Sequence, residues 1–149
     1  MTFAGARVIA LDVGERRIGI AVSDELGLTA QGLETLERRN VATDMARLGA
    51  LAEQYQIANW VVGLPLRLSG REAGQAEKVR AFGQRLEQAS RRPVEFLDER
   101  LTTVEAERVL RQAEQSRQKS RRAVDRMAAV ILLQSYLDRR QGAGTPAER

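Results

Sequence analysis

Residues 8–22 read VIALDVGERRIGIAV, and this stretch decides the fold. It contains two apolar runs, residues 8–11 and 18–22, each of the length of a buried strand. The turn between them is polar and contains Gly14, so the two runs predict a β-hairpin. Asp12 stands at the end of the first strand, just outside the run that packs into the core.

The rest of the chain alternates between helical and extended patterns. We predict a weaker third strand at residues 28–36, helices at 43–55, 72–90, 102–113 and 124–138, and strands at 59–63 and 94–97. The order β-β-β-α-β-α-β-α-α predicts an α/β fold with a mixed five-stranded sheet, three antiparallel strands and then parallel strands, flanked by helices. We expect one domain over residues 1–140 and a disordered tail over 141–149.

Composition excludes several kinds of chemistry. The 149 residues include no Cys and no His, which excludes thiol nucleophiles, Cys-ligated metals and an imidazole general base. Basic residues outnumber acidic ones by 24 to 20, and 22 of the 24 are Arg, whose planar guanidinium matches phosphate geometry. The sequence has neither a long apolar run nor a signal-peptide pattern at its start, so we expect a cytoplasmic protein that does not span a membrane.

Carboxylates stand at the ends of three predicted elements. Asp12 ends the first strand, Asp98 and Glu99 follow the last strand, and Asp125 lies in the first turn of the last helix. Each has an ordinary structural explanation: a turn residue, a solvated strand end, or a charge that stabilises a helix N-terminus. Sites in such sheets nevertheless form where strands end, which favours a shared function for these residues.

Asp125 shares a helix face with small residues, Ala128 and Ala129, that would let the helix approach a sheet closely. Its carboxylate would then point at the strand ends. Three carboxylates in one place repel and raise each other's pKa values, and a divalent cation relieves this repulsion. An all-oxygen site suits Mg²⁺ or Mn²⁺, and two such ions can drive phosphodiester hydrolysis without histidine.

Four stretches resemble, in order, the motifs of the YqgF family, also called RuvX. They are residues 12–24 (DVGERRIGIAVSD), 61–66 (VVGLPL), 98–103 (DERLTT) and 124–132 (VDRMAAVIL). The resemblance implies a ribonuclease H-like fold, and a role as a Holliday junction resolvase and as a nuclease that matures the precursor of 16S ribosomal RNA. By matching position it implies that Asp12, Glu99 and Asp125 are the metal-binding catalytic carboxylates, with Asp98 as a further candidate.

The chain departs from the family pattern beside two of these motifs. The second motif continues with Arg67, Leu68 and Ser69 where the family often has Asn, Met or Leu, and Asp. Leu97 stands where an aromatic residue often opens the third motif. These positions flank the proposed site, so they bear on substrate preference more than on metal chemistry.

Basic residues surround the proposed carboxylates along the sequence. The candidates for nucleic-acid contacts are Arg16, Arg17, Arg100, Arg117, Lys119, Arg121, Arg122 and Arg126. Such residues can hold a phosphate backbone while metal ions meet the scissile phosphate, although a solvated polar loop would have the same composition. With few aromatic residues for stacking, recognition would rest on the backbone and shape of structured RNA or branched DNA.

The leading hypothesis is a metal-dependent nuclease, and two other functions fit parts of the sequence. A non-catalytic nucleic-acid-binding regulatory module would need the basic surface but not the carboxylates. An actin-like phosphotransferase would use a similar Asp-x-Gly turn around ATP, but it needs two such domains to enclose the nucleotide. Symmetric cleavage of a junction would favour a two-fold homodimer, whereas RNA processing can use one site.

Overall fold

The computed structural model describes residues 6–65, 73–99 and 121–144. Within these ranges the chain forms five strands and three helices. In chain order they are β1 (Arg7–Val13), β2 (Arg17–Ser23), β3 (Ala30–Glu37), α1 (Val41–Tyr55), β4 (Ile57–Leu64), α2 (Ala73–Ser90), β5 (Val94–Asp98) and α3 (Arg121–Gly144).

The strands form one mixed sheet in the order β3-β2-β1-β4-β5. β1 pairs antiparallel with β2, and β2 pairs antiparallel with β3. β1 pairs parallel with β4, and β4 pairs parallel with β5. The predicted hairpin and the mixed five-stranded sheet are therefore confirmed.

Side-chain alternation divides the core between the two faces of the sheet. On one face Ile9, Leu11 and Trp60 pack in a buried cluster with residues of α1 and α2. On the other face Val8 and Ala10 pack in a second cluster with residues of α3. α3 is apolar along the stripe that meets the sheet, where Ala128, Ala129, Leu132 and Leu133 are buried. The sheet is thus covered by α1 and α2 on one side and by α3 on the other.

Two helix ends differ from the prediction, the start of α1 and the end of α3, and a side-chain hydrogen bond is found at each. α1 begins at Val41, two residues early, because the Asn40 side chain caps it by accepting a hydrogen bond from the Thr43 amide at 2.8 Å. α3 runs from Arg121 to Gly144, so residues 141–144 continue the helix and do not begin a tail. The Gln141 side chain donates to the Gly27 carbonyl at 3.1 Å, which ties this end of the helix to the β2–β3 turn.

Some predictions concern parts of the chain outside the described ranges. These are the helix at 102–113 and residues 145–149 of the predicted tail. None of the helices in the ranges that are described is long and apolar enough to cross a membrane.

Candidate active site

Asp12 is placed by alternation along β1. Val8 and Ala10 face α3, so Asp12, two residues further along, lies on the same face near the end of the strand. Its exposed fraction is only 9%, which is unusual for a carboxylate. A residue that only formed a solvated turn would not need this burial.

Asp125 reaches the same region because Gly19 has no side chain. Gly19 of β2 is the antiparallel partner of Asp12. A Cβ atom at Gly19 would lie 2.0 Å from the carbonyl oxygen of Asp125, so the first turns of α3 rest directly on the β2 backbone. Adjacent strands are about 4.8 Å apart, so this contact places the Asp125 backbone one strand away from Asp12.

Glu99 lies on the other side of Asp12. Leu11 of β1 pairs with Val62 of β4. Because the two strands are parallel, the next residues on the two strands, Asp12 and Gly63, are neighbours. A Cβ atom at Gly63 would lie 2.7 Å from Oε2 of Glu99 and 3.1 Å from Leu132 of α3. The Glu99 side chain, only 8% exposed, therefore lies over Gly63 on the α3 face.

Alternation along β5 separates Glu99 from Asp98. Phe96 packs on the cluster formed with α1 and α2, whereas Leu97 packs on the cluster formed with α3. Asp98 therefore takes the face of Phe96. This arrangement favours Glu99 over Asp98 as the third member of the acidic group on the α3 face.

Asp125 has a cationic partner in this structure. Nε of Arg17 lies 2.9 Å from Oδ2 of Asp125, and both side chains are about three-quarters buried, with exposed fractions of 23% and 26%. Arg17 begins β2, on the opposite side of the turn from Asp12. The predicted nucleic-acid contact at Arg17 is thus paired with the Asp125 carboxylate.

The donor set fits a hard divalent cation in its chemistry. Asp12, Glu99 and Asp125 offer only carboxylate oxygens, which suit Mg²⁺ or Mn²⁺. In the part of the chain that the structure covers, no three acidic side chains are gathered closely enough to form a metal site. In this structure the Arg17 guanidinium occupies Oδ2 of Asp125.

The other basic residues predicted to contact nucleic acid lie in different elements. Arg16 is exposed in the β1–β2 turn, and its carbonyl accepts a hydrogen bond from the Arg38 amide. The aliphatic part of Arg126 lies on β3, with Cδ 3.6 Å from the position of a Cβ at Gly32. Arg121 and Arg122 open α3. Arg100, Arg117 and Lys119 lie outside the described residues.

Sequence reasoning missed the glycines that make the site compact. Gly19 and Gly63 stand inside strands, where a glycine often marks the close approach of another group. That signal was available in the sequence, but it did not identify the approaching group. The structure shows the α3 backbone over Gly19 and the Glu99 carboxylate over Gly63.

A comparison with known families decides the relationship. The sequence profile of the family described as "RuvX: Holliday junction resolvase" matches residues 6–139, nearly the whole chain. The chain belongs to the RuvX family. The family predicted from the four sequence motifs is thus confirmed.

Curated relatives of this RuvX-family chain match it over most of their length. A protein of Koribacter versatilis is 55% identical over 134 residues, which is 90% of this chain and 88% of the relative. A protein of Symbiobacterium thermophilum is 51% identical over 142 residues, 95% of this chain and 97% of the relative. Both relatives are provisionally named pre-16S rRNA nucleases.

Solved structures with the same fold include two junction resolvases. RuvC of T. thermophilus in complex with a Holliday junction substrate has a TM-score of 0.60 and 16% identity, over 91% of this chain and 96% of that chain. The Fowlpox virus resolvase with Holliday junction DNA has a TM-score of 0.53 and 11% identity, over 89% and 97%. At these identities the likeness shows the fold, and it confirms the predicted ribonuclease H-like class.

Proposed function

We propose that this RuvX-family chain is a divalent-metal-dependent nuclease whose metal ligands are Asp12, Glu99 and Asp125. The observation that supports the proposal is local: Asp12 and Glu99 are buried at strand ends, and the backbone of Asp125 packs on Gly19, the strand partner of Asp12. Family membership and relatives named as nucleases support the same chemistry. Two of the three carboxylates are buried although they lie at strand ends.

Two ions of Mg²⁺ or Mn²⁺ held there would lower the pKa of the attacking water and stabilise the leaving oxygen. The chain's own contribution is to fix the carboxylates on rigid elements. Gly19 and Gly63 let α3 and the Glu99 side chain approach Asp12. Arg17 neutralises the charge of Asp125 before an ion arrives and competes with the ion for that carboxylate.

We propose structured nucleic acid as the substrate, and two observations on relatives support it. Relatives more than 50% identical are named for the precursor of 16S rRNA, which favours RNA. The family description names Holliday junctions, which favours branched DNA cut by a two-fold homodimer. We place the protein in the cytoplasm, where both kinds of nucleic acid are found. The proposed backbone contacts are Arg16, Arg100, Arg117, Lys119, Arg121, Arg122 and Arg126, while Arg17 is assigned to the acidic group.

A cleavage panel tests this function. Single-stranded RNA, duplex RNA, single-stranded DNA, a four-way DNA junction and a fragment of precursor 16S rRNA are each incubated with Mg²⁺, with Mn²⁺ and with excess chelator. We expect cleavage of at least one substrate with a metal ion and none with chelator. Full cleavage in chelator would contradict the metal-dependent mechanism. Tight binding without any cleavage would instead support a non-catalytic module.

A further inference from the structure

A cleft with charged residues in its walls opens on the sheet face that α1 and α2 cover, next to the β1–β2 turn. It consists of two cavities of about 230 and 410 Å³ that share Glu15, Arg38 and Lys78 in their walls. One wall is the turn itself, which begins directly after Asp12. Three residues of extended chain span about 10 Å at most, so Glu15 in the cleft wall lies within about 10 Å of Asp12, across the end of the sheet.

Arg38 lines both cavities, and its guanidinium contacts three other residues. Its Nη1 donates to the Gly14 carbonyl at 2.7 Å, and its guanidinium carbon lies 5.2 Å from the centre of the Phe82 ring. Nε lies 3.8 Å from Oδ2 of Asp44, a carboxylate with an exposed fraction of 3%. The charge of Asp44 is therefore balanced within the wall and does not act on a ligand.

Two further cations line the cleft and remain available to a ligand. Arg39, between β3 and α1, and Lys78 of α2 both have exposed side chains. No carboxylate in the described ranges forms an ion pair with either of them. Asn40 caps the Thr43 amide at the N-terminus of α1, and the formal positive charge offered to an anion is that of the two side chains. Glu15 is the acidic lining residue that opposes them.

We propose that this cleft binds the phosphodiester backbone of the nucleic-acid strand that crosses the acidic site, with Arg39 and Lys78 as its phosphate contacts. The proposal rests on the proposed nuclease function, because it assumes that a nucleic-acid strand is held at Asp12. That strand would reach the cleft by passing over the β1–β2 turn. The lining favours a backbone over bases: Phe82 is covered by Arg38, and no exposed aromatic residue stands among the lining residues. The cleft would thus extend the binding surface beyond the α3 face.

Charge-removing variants test the cleft against a matched control. Arg39→Gln and Lys78→Gln each remove one proposed contact. Arg80→Gln removes the same charge from an exposed site on α2 that does not line the cleft. Binding of labelled duplex DNA and duplex RNA is measured by fluorescence anisotropy in chelator, which prevents cleavage, at several salt concentrations.

On duplex DNA each lost phosphate contact lowers the logarithmic salt slope by about 0.9. The ratio of Kd at about 200 mM salt to Kd at about 50 mM therefore falls about 3.5-fold for Arg39→Gln and for Lys78→Gln. Arg80→Gln keeps the wild-type slope. Glu15→Gln tightens binding, because it removes the charge that repels phosphate.

Equal slopes for Arg39→Gln, Lys78→Gln and Arg80→Gln would overturn the proposal. Wild-type protein that binds but cleaves nothing would contradict the nuclease function alone, since the slope comparison would still decide the cleft. Wild-type protein that binds neither duplex would also overturn the cleft proposal, while the single-stranded and junction substrates of the cleavage panel would still decide the nuclease function. A slope change on only one duplex would identify the nucleic acid that occupies the cleft.

Discussion

Replacing Gly19 by alanine tests whether α3 must sit directly on β2 for the site to work. The added Cβ would lie 2.0 Å from the carbonyl oxygen and 2.6 Å from the carbonyl carbon of Asp125. Both are backbone atoms, so no side-chain rotation can relieve the clash. The first turn of α3 must retreat by about 1 Å or more to restore an ordinary contact.

Overpacking of this kind costs about 1–3 kcal/mol, which for a chain of this size lowers Tm by about 2–12 °C. A displacement of about 1 Å at a reacting centre costs about 100-fold in rate, so we expect that loss in metal-dependent cleavage. Thermal unfolding and single-turnover cleavage measure the two effects separately. Circular dichroism at low temperature checks that the fold is retained.

Gly32→Ala is the matched control. Gly32 also faces α3, from the neighbouring strand β3, but a Cβ there would lie 3.5 Å from Val130, an ordinary contact. This variant should keep full activity and wild-type or slightly higher stability. Wild-type activity in Gly19→Ala, or an equal loss in Gly32→Ala, would refute the claim that activity requires α3 to pack directly on Gly19.

Two further substitutions probe the ion pair and the far end of α3. Arg17→Gln removes the cation that competes for Asp125, so calorimetry should show tighter Mn²⁺ binding, while the metal-free protein loses about 1 kcal/mol or less of stability; weaker Mn²⁺ binding would show that Arg17 instead holds Asp125 ready for metal. Burial and the 2.9 Å hydrogen bond to Glu95 raise the pKa of Tyr136 above its ordinary value of 10.0, so its stabilising effect is complete below that pH and is lost as pH rises through the folded-state pKa. Urea unfolding of Tyr136→Phe should therefore show a loss of about 1 kcal/mol at neutral pH that becomes smaller as the pH rises above 10.0; a loss that does not change with pH would contradict this assignment.

Local pattern was sufficient to predict most of the fold. The hairpin followed from two apolar runs around Gly14, and the parallel strands followed from their alternation with helices. The C-terminal end of α3 was not predictable in this way, because residues 139–144 are polar or small and lack apolar periodicity. Its helix is held there by tertiary contact, including the Gln141 bond to Gly27, which no local pattern contains.

The acidic residues of the candidate site could be named from the sequence because carboxylates at strand ends and helix starts stand out against apolar neighbours. The Arg17–Asp125 pair could not, since its members are 108 positions apart in the chain. The cleft at Arg38, Arg39 and Lys78 belongs to no motif. It depends on how the β1–β2 turn, the start of α1 and one face of α2 meet in space.

Asp12→Asn tests the central claim most directly, because it keeps the shape of the side chain and removes its charge. Three quantities are measured on this variant and on the wild type: the circular dichroism spectrum with Tm, Kd for the nucleic acid cleaved best, and the cleavage rate in saturating Mg²⁺ or Mn²⁺. We predict an unchanged fold, an unchanged Kd because the basic contacts remain, and a cleavage rate reduced at least about 100-fold because a metal ligand is lost. Cleavage at the wild-type rate would contradict the account, since Asp12 would then serve only the β1–β2 turn.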